Sequence, residues 1–482
     1  MQKTIKALAI GLLALSAQHL TAYTSKTYLA DRPKGVDSLL ERVTLQSMNA
    51  SKAEDSFGAT FQATLFYNES LKADEIARYF LAGNKNYATL SRNDLRAFIP
   101  DHNQGAGAGQ PLAGDTDTTV KLNPAIRTYG LMLTYYQDLE KILPGLYFNV
   151  RAPIVEVDTD LGAIAAGGNG EVAKKFLGGS LEEIPATAVY ARQPLRNALY
   201  NGKNTAIGIA DIDLRMGYAF LQRSRGNLGL SVGLTIPTGN QPEAKSAFEA
   251  IYGNGGHWGF GLGAEGRYQL WNNENAALDI HANSDYRYLF TNTERRTFGI
   301  KGLTLGQYRI IAAPVASSLT TQAIPAANAL TLSTDVTPGM QLDNVVGFTY
   351  TYGGLSVDLG YNLYYRDRES LKLRDRWDDG AYVYLTDDAA ARAINFGAVA
   401  QGVGTNLSAP ATTHAALAST AIDFEAARTP VQLSNKILGG VGYIFKEWEY
   451  PIMLGAGAHY EIPSDNATIR TWGFYFKSGI AF

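Results

Sequence analysis

The sequence predicts an all-β fold: a transmembrane, antiparallel, up-and-down β-barrel of about 12 strands with long extracellular loops. Three observations favour this fold. Apolar and polar residues alternate along segments of about 12 to 16 residues, whereas strands of globular proteins usually have about 5 or 6. The connections between these segments are short and long in turn, and aromatic residues cluster near both ends of the segments.

The alternation is clearest from Leu228 to Ile236, where leucine, valine or isoleucine occupies every second position and glycine, serine or threonine the positions between. Successive side chains of a strand point to opposite faces, so such a segment has one apolar face and one polar or small face. Twelve segments show this pattern, approximately 56–67, 126–137, 146–156, 206–221, 226–237, 256–271, 275–290, 341–352, 355–366, 433–445, 450–462 and 469–482.

The connections fall into two classes. Short turns lie at 138–145, 222–225, 272–274, 353–354 and 446–449. The other connections are long, at 68–125, 157–205, 238–255, 291–340 and 367–432, except for the brief 463–468. Short periplasmic turns opposite long extracellular loops are typical of outer-membrane barrels, and an even strand number places both termini on the short-turn side. A hairpin within Ala77 to Ser91 would raise the strand number to 14.

The two ends of the chain indicate export. Residues 1–22 read as a signal peptide, because Lys3 and Lys6 precede an apolar run and small-residue cleavage patterns follow it. Residues 23–55 are predicted to be a periplasmic segment that either plugs the barrel or simply leads into it, and residues 56–482 to be the barrel. The chain has no cysteine, so an exported fold must depend on burial or on a closed sheet.

The interior face of the barrel is predicted from strand parity. Charged groups on the lipid side would cost about 2–4 kcal/mol each near the bilayer midplane, so they are expected to face the lumen. Seven acids, seven bases and one histidine form the predicted pore lining: Arg151, Asp211, Asp213, Arg215, Glu265, Arg267, Asp279, His281, Asp285, Arg287, Asp358, Arg366, Lys436, Glu461 and Lys477. Interleaved glycines are expected to leave free width in the lumen.

The outer face is predicted to carry aromatic belts at the two membrane interfaces, where amphipathic rings are favoured. Six residues represent these belts: Tyr218, Trp258, Trp271, Tyr443, Trp448 and Trp472. The last strand is amphipathic and ends in Phe482, which resembles the assembly signal of bacterial outer-membrane proteins. This resemblance implies the outer membrane of a Gram-negative cell as the location. It also implies membrane lipids, lipopolysaccharide and the assembly machinery as partners.

Two family resemblances bear on function. The alternation of short turns and long loops resembles outer-membrane porins. Asn123-Pro124-Ala125 is similar to the N-P-A signature of FadL-like hydrophobic-compound transporters, a family with 14 strands and an N-terminal plug. In this chain the tripeptide stands next to the second strand, and a loop proline that leads into a strand is the preferred explanation.

Catalysis, cofactors and nucleic acid are not predicted. Asp279, His281 and Asn283 share one strand face, whereas Ser284 points to the other, so no serine–histidine pair forms. The formal charge of −3 does not suggest nucleic-acid binding. Three functions remain: a porin-like channel for small solutes, a FadL-like transporter of hydrophobic compounds, and a closed surface barrel whose loops bind a partner. A plug from 23–55 with an apolar pocket formed by 291–340 would favour the transporter.

Overall fold

The computed structural model describes residues 25–33, 58–81, 85–90, 117–167, 170–180, 191–200, 202–303, 305–312, 322–385, 414–464 and 467–482. The predicted signal peptide 1–22 therefore lies outside the described residues, as does most of the predicted periplasmic segment.

Twelve antiparallel strands form a closed barrel. Each strand pairs with its neighbours along the chain, and β1 pairs with both β2 and β12, which closes the sheet. The strands are β1 Ala59–Ser70, β2 Ala125–Asp138, β3 Leu146–Asp160, β4 in two parts (Asn204–Ile209 and Ile212–Arg223), β5 Gly226–Ile236, β6 Gly259–Asn272, β7 Ala276–Leu289, β8 Gly339–Tyr352, β9 Leu355–Arg366, β10 Gln432–Phe445, β11 Ile452–Pro463 and β12 Thr471–Ala481. The predicted 12-stranded barrel is confirmed.

The alternative of 14 strands is wrong. The segment from Ala77 to Ser91 overlaps the helix α1, Ala73–Phe80, and the short strand Tyr87–Leu90 that follows pairs outside the barrel with Thr118–Lys121. The helix is amphipathic, because Ile76 and Phe80 are buried while Asp74 and Arg78 pair at 3.0 Å on the exposed side. A segment with helical spacing of its apolar residues cannot supply the period-two face of a barrel hairpin.

The outer face of the barrel is an apolar surface exposed to its surroundings. Leu65, Leu359 and Phe476 are 58%, 60% and 56% exposed, and most strands carry several such residues. A contiguous apolar belt of this size is not stable against water, but it matches the hydrocarbon of a bilayer. The barrel therefore crosses the outer membrane. Among the described residues, no helix is long and apolar enough to span a membrane.

The long loops fold into a cap over one end of the barrel. Strands Asn292–Thr297, Thr331–Thr337 and Ser370–Leu373 pair as one sheet immediately beyond β7, β8 and β9. The other described cap elements are helices α2 Gly170–Leu177, α3 Ala326–Ala329 and α4 Phe424–Ala427, the 3₁₀ turns Gly306–Tyr308 and Ser419–Ala421, and the short strands Ile164–Ala166, Ala191–Arg192, Gly299–Ile300, Ile310–Ala312, Gln322–Pro325, Val383–Leu385, His414–Ala416 and Ile422–Asp423.

Two apolar cores hold the cap together. The first core joins the buried faces of α1 and α2 to Phe248 and Tyr308, which come from other loops. The second core surrounds Phe298. Because residues from several loops meet in each core, the cap covers the barrel mouth as a packed unit.

Candidate functional site

The segment 25–33, named the strap here, lies inside the cap and the upper lumen. The Thr27 N–H donates to the Ala426 carbonyl oxygen at 2.9 Å, and the Ala30 N–H donates to Thr429 Oγ1 at 3.2 Å. Gln432, at the start of β10, donates from Nε2 to the Ala30 carbonyl oxygen at 2.6 Å. These nine residues thus contact the cap and the start of β10. Whether segment 23–55 plugs the barrel or leads into it stays a prediction. Residues 34–55 of the predicted segment lie outside the described residues.

Arg32 of the strap is bound by the barrel wall. Its guanidinium donates to Asp343 Oδ2 at 2.7 Å, Asn362 Oδ1 at 2.9 Å and Glu461 Oε1 at 3.4 Å. It also lies 4.7 Å from the centre of the Tyr364 ring. These side chains project from β8, β9 and β11, and Arg32 itself is 8% exposed. The strap is therefore fastened to one side of the lumen by charge-assisted hydrogen bonds.

The predicted lining residues lie on the inner face of the barrel, and many of them pair with one another. The Arg287–Asp213 and Arg215–Asp285 pairs join β4 to β7 at 2.8 and 2.5 Å. Arg151 lies 3.8 Å from Asp213. Further ion pairs are Arg267–Asp279 at 2.8 Å, Lys436–Glu461 at 3.4 Å and Arg366–Glu369 at 3.0 Å.

The other predicted lining residues form hydrogen bonds or lie beside glycines. Asp211 accepts the Gly239 N–H at 3.3 Å, and Asp358 accepts a hydrogen bond from Thr349 Oγ1 at 2.7 Å. His281 lies beside Gly347, Glu265 lies beside Gly229, and Lys477 is buried within the barrel. Burial differs along the lumen, since Arg151 is 2% exposed whereas the Arg267 side chain, nearer the short turns, is 36% exposed. This difference does not follow depth in the barrel, since Asp279 and Asp358, which also lie near the short turns, are 3% and 2% exposed. The role of the predicted lining residues in a pore stays a prediction.

Many inward glycines do not leave free width. A methyl group on Gly217 would overlap the Tyr147 ring, and one on Gly457 would overlap the Tyr475 ring. These glycines instead let an aromatic ring from the neighbouring strand lie flat on the wall. Gly233 and Gly261 differ, because they line an open cavity.

This cavity lies between the strap and the wall and has a volume of about 40 Å³. That volume is room for a few water molecules. Its lining includes Arg32, Arg151, Asp213, Arg287 and Tyr364, so its surface is charged rather than apolar. With the strap in place, this cavity is too small for a larger solute.

A second polar cluster lies at the barrel mouth, and the sequence analysis missed it. Arg296 donates to Glu294 at 2.8 Å and to Glu369 at 3.2 Å, and His257 Nε2 lies 2.7 Å from Glu294 Oε1. The Arg296 guanidinium stacks 3.4 Å from the Tyr28 ring centre, which ties the cluster to the strap. Burial opposes ionisation of Glu369, but Arg296 and Arg366 together hold its pKa below the usual value.

Strand parity gave no signal for the mouth cluster. Glu294 and Arg296 are two residues apart in a strand that follows β7 after a short break. Extending the parity of β7 would have placed both on the outer face, because the inward residues of β7, such as Asp285 and Arg287, are odd-numbered.

A hydrolytic site does not form in β7. His281 is 1% exposed and faces the lumen, and Ser284 lies an odd number of residues away on the opposite strand face. The Asp279 carboxylate binds Arg267 instead of orienting the histidine. Within the described ranges, no cluster of three or more histidine, cysteine or acidic side chains could hold a metal ion.

The predicted interfacial aromatics all lie on the exposed face: Tyr218, Trp258, Trp271, Tyr443, Trp448 and Trp472. Phe482 is also exposed, and its backbone exchanges two hydrogen bonds with Ala59 at 2.7 and 2.9 Å. The terminal residue therefore completes the β1–β12 seam.

No family model and no curated protein matches the chain. Solved structures similar to it include a monoaromatic hydrocarbon channel, the TodX deltaS2 mutant (10% identity, TM-score 0.34, 89% of this chain and 90% of that chain). Another is a FadL homologue from Pseudomonas aeruginosa (8%, 0.29, 89% and 90%). A third is the outer-membrane protease OmpT from Escherichia coli (8%, 0.23, 90% and 98%).

These TM-scores are too low to support a statement about this chain, and the three structures include both a channel and a protease. The assignment of the fold therefore rests on the geometry of the chain itself. A closed barrel of twelve antiparallel strands, with an apolar outer face and a charged inner face, is an outer-membrane β-barrel.

Proposed function

We propose that the chain is an outer-membrane channel for small polar solutes, closed in the described conformation by its own strap. The observation that carries this proposal is the binding of Arg32 to Asp343, Asn362 and Glu461 of the barrel wall. The wall contributes its charges from stable strands, whereas the strap is a separate segment that precedes β1. Withdrawal of the strap would therefore widen the lumen without breaking the barrel.

The charged lumen favours polar solutes over the hydrophobic compounds of the second hypothesis. The strap supplies the plug that a FadL-like transporter would need. The cavity beside it, however, is lined by arginine and aspartate side chains instead of apolar ones. An apolar compound would gain little free energy by moving from water to a cavity with charged walls. A polar solute can replace its hydrogen bonds to water with hydrogen bonds to the wall. The proposal gives the chain no catalytic role.

A reversible disulfide tests whether the strap closes the channel. The chain has no cysteine, so Ala30→Cys with Thr429→Cys creates one defined pair at a position where the Ala30 N–H and Thr429 Oγ1 lie 3.2 Å apart. We expect planar bilayers that contain the oxidised protein to show no channel conductance. Reduction should restore the wild-type frequency of opening, because the strap is then free to leave. The single variant Ala30→Cys, treated identically, controls for the oxidant.

Deletion of residues 25–33 gives the complementary test. The deleted protein should conduct constitutively, since nothing then binds the wall at Asp343 and Glu461. Heat-modifiable migration on gels verifies that the barrel has formed. A folded deletion variant that remains silent would exclude the channel and favour a closed surface barrel whose cap binds a partner.

A further inference from the structure

The wall residues around Arg32 form a complete recognition site for a guanidinium group. Asp343 accepts from Arg32 Nη2, whereas Glu461 and the Asn362 side-chain oxygen both accept from Nη1. The face of Tyr364 covers the cation at 4.7 Å. Planar donors, paired carboxylates and an aromatic face are the features that select a guanidinium over other cations.

All of these recognition groups belong to the barrel, and only the guanidinium comes from the strap. Asn362 also donates to Asp343, so the two acceptors are positioned by the wall itself. Ser434 Oγ donates to Glu461 at 2.5 Å and positions the second carboxylate in the same way. The site therefore persists when Arg32 leaves. It then holds the partly buried Asp343 and the buried Glu461, which keeps its ion pair with Lys436 at 3.4 Å. A second cation would stabilise these two carboxylates.

Two polar atoms beside this site indicate a ligand larger than the guanidinium. Gln341 Nε2 and Tyr364 Oη are buried, and neither has a hydrogen-bond partner among the described residues. Both side chains line the cavity next to Arg32, as do Arg151 and Arg287. Buried donors without partners are costly. A solute with an acceptor group, such as a carboxylate, would satisfy them.

We infer that the lumen binds small guanidinium-bearing solutes at the Arg32 site and that Arg32 is an internal substitute for such a solute. This inference rests on the proposed channel function and names the class of solute that the channel admits. A solute that carries a carboxylate beside its guanidinium fits best, because its cation binds Asp343 and Glu461 while its acid faces Gln341 and the cavity arginines.

Calorimetry on the full-length protein in detergent tests the inference. L-Arginine is the probe, and L-citrulline is the neutral control of nearly the same shape. The variant Arg32→Ala should bind L-arginine at least about ten-fold more tightly than the wild type does, because the strap no longer competes for the site. L-Citrulline should bind the variant about ten-fold more weakly than L-arginine or worse, since it lacks the charge.

Two double variants locate the site. Arg32→Ala with Asp343→Asn should reduce L-arginine binding to the level of L-citrulline. Arg32→Ala with Asp279→Asn should leave it unchanged, because Asp279 binds Arg267 elsewhere in the lumen. Equal binding of the two probes by Arg32→Ala, or affinity no greater than that of the wild type, would overturn the inference.

A second measurement keeps Arg32 in place and so avoids a variant that does not fold. Excess L-arginine should slow formation of the Ala30→Cys/Thr429→Cys disulfide, because it displaces the strap, and L-citrulline should not. Equal rates with both probes would contradict the inference. If L-arginine binds selectively but bilayers show no conductance, only the channel proposal is contradicted. If bilayers conduct but L-arginine does not bind selectively, only the guanidinium site is contradicted.

Discussion

At the scale of single residues, the strap is held by two basic side chains in different surroundings. Arg32 binds carboxylates of the wall. Lys26 Nζ instead donates to the backbone carbonyl oxygens of Glu425 and Arg428 at 2.5 and 3.2 Å. Burial lowers the pKa of Lys26 to about 8, although Glu425 and Asp423 oppose the shift. Lys26 therefore loses its proton more readily when the strap is bound.

The shifted pKa of Lys26 predicts how closure depends on pH. A released strap has the ordinary lysine value of 10.5, so docking releases a proton between pH 8 and 10.5. The free energy of strap docking should become more favourable by at most about 3 kcal/mol as the pH rises through that window. Below the window, Lys26 should not contribute to the pH dependence of docking. Bilayer open probability should fall accordingly as the pH rises. Lys26→Met should lose this slope, and an unchanged slope in that variant would show that another group titrates.

At the scale of strands, the pairing of glycines with aromatic rings decides where the lumen is filled. Tyr475 of β12 lies on Gly457 of β11, and Tyr147 of β3 lies on Gly217 of β4. Each ring uses the space that a side chain would otherwise take, so the wall thickens inward without a change in strand spacing. Gly233 has no such cover, and the cavity opens there.

This difference predicts opposite outcomes for two glycine-to-alanine changes. Gly457→Ala should destabilise the barrel by about 1–3 kcal/mol, because the added methyl group overlaps the Tyr475 ring and lies 2.5 Å from the Gly439 carbonyl oxygen. Gly233→Ala is the matched control and should change stability little, since its nearest neighbour would be 3.5 Å away. Thermal unfolding followed by heat-modifiable migration measures both. Equal shifts would mean that the rings move aside freely.

At the scale of the whole molecule, the barrel combines a closed seam with a capped mouth. The seam depends on β1 and β12, which are far apart in the chain and exchange their last hydrogen bonds through Ala59 and Phe482. The cap depends on apolar cores that gather residues from several loops. Both structures are non-local, so neither is complete until the whole chain has reached the membrane.

Phe482 allows assembly to be separated from stability. Phe482→Ala keeps both backbone hydrogen bonds with Ala59 and removes only the exposed ring. We therefore expect the purified variant to unfold at the wild-type temperature, while the amount of folded barrel in the outer membrane soon after induction falls several-fold. Phe220→Ala removes a similarly exposed ring from β4 and should leave that amount unchanged. Equal amounts of folded barrel for both variants would show that the Phe482 ring has no role in assembly.

The twelve strands could be predicted from the sequence, whereas the contacts between charged side chains could not. Period-two alternation is local, so it assigns residues as distant as Arg151 and Lys477 to one face of the sheet. Which charges meet depends on the register of strands that are not adjacent, as in the Arg287–Asp213 pair, and no local pattern carries that information. The strap has no periodicity at all. Its position depends on wall residues, such as Asp343, that come more than 300 positions later.

The position of the strap also constrains the order of assembly. Residues 25–33 precede β1 in the chain, yet they lie within the ring that β1 closes with β12. The amino-terminal part of the chain must therefore be threaded: either the seam forms around it, or it enters a ring that is already closed. In the second route, a newly made barrel would pass through a leaky intermediate, and the last step of biogenesis would be the sealing of the barrel by a segment that precedes its first strand.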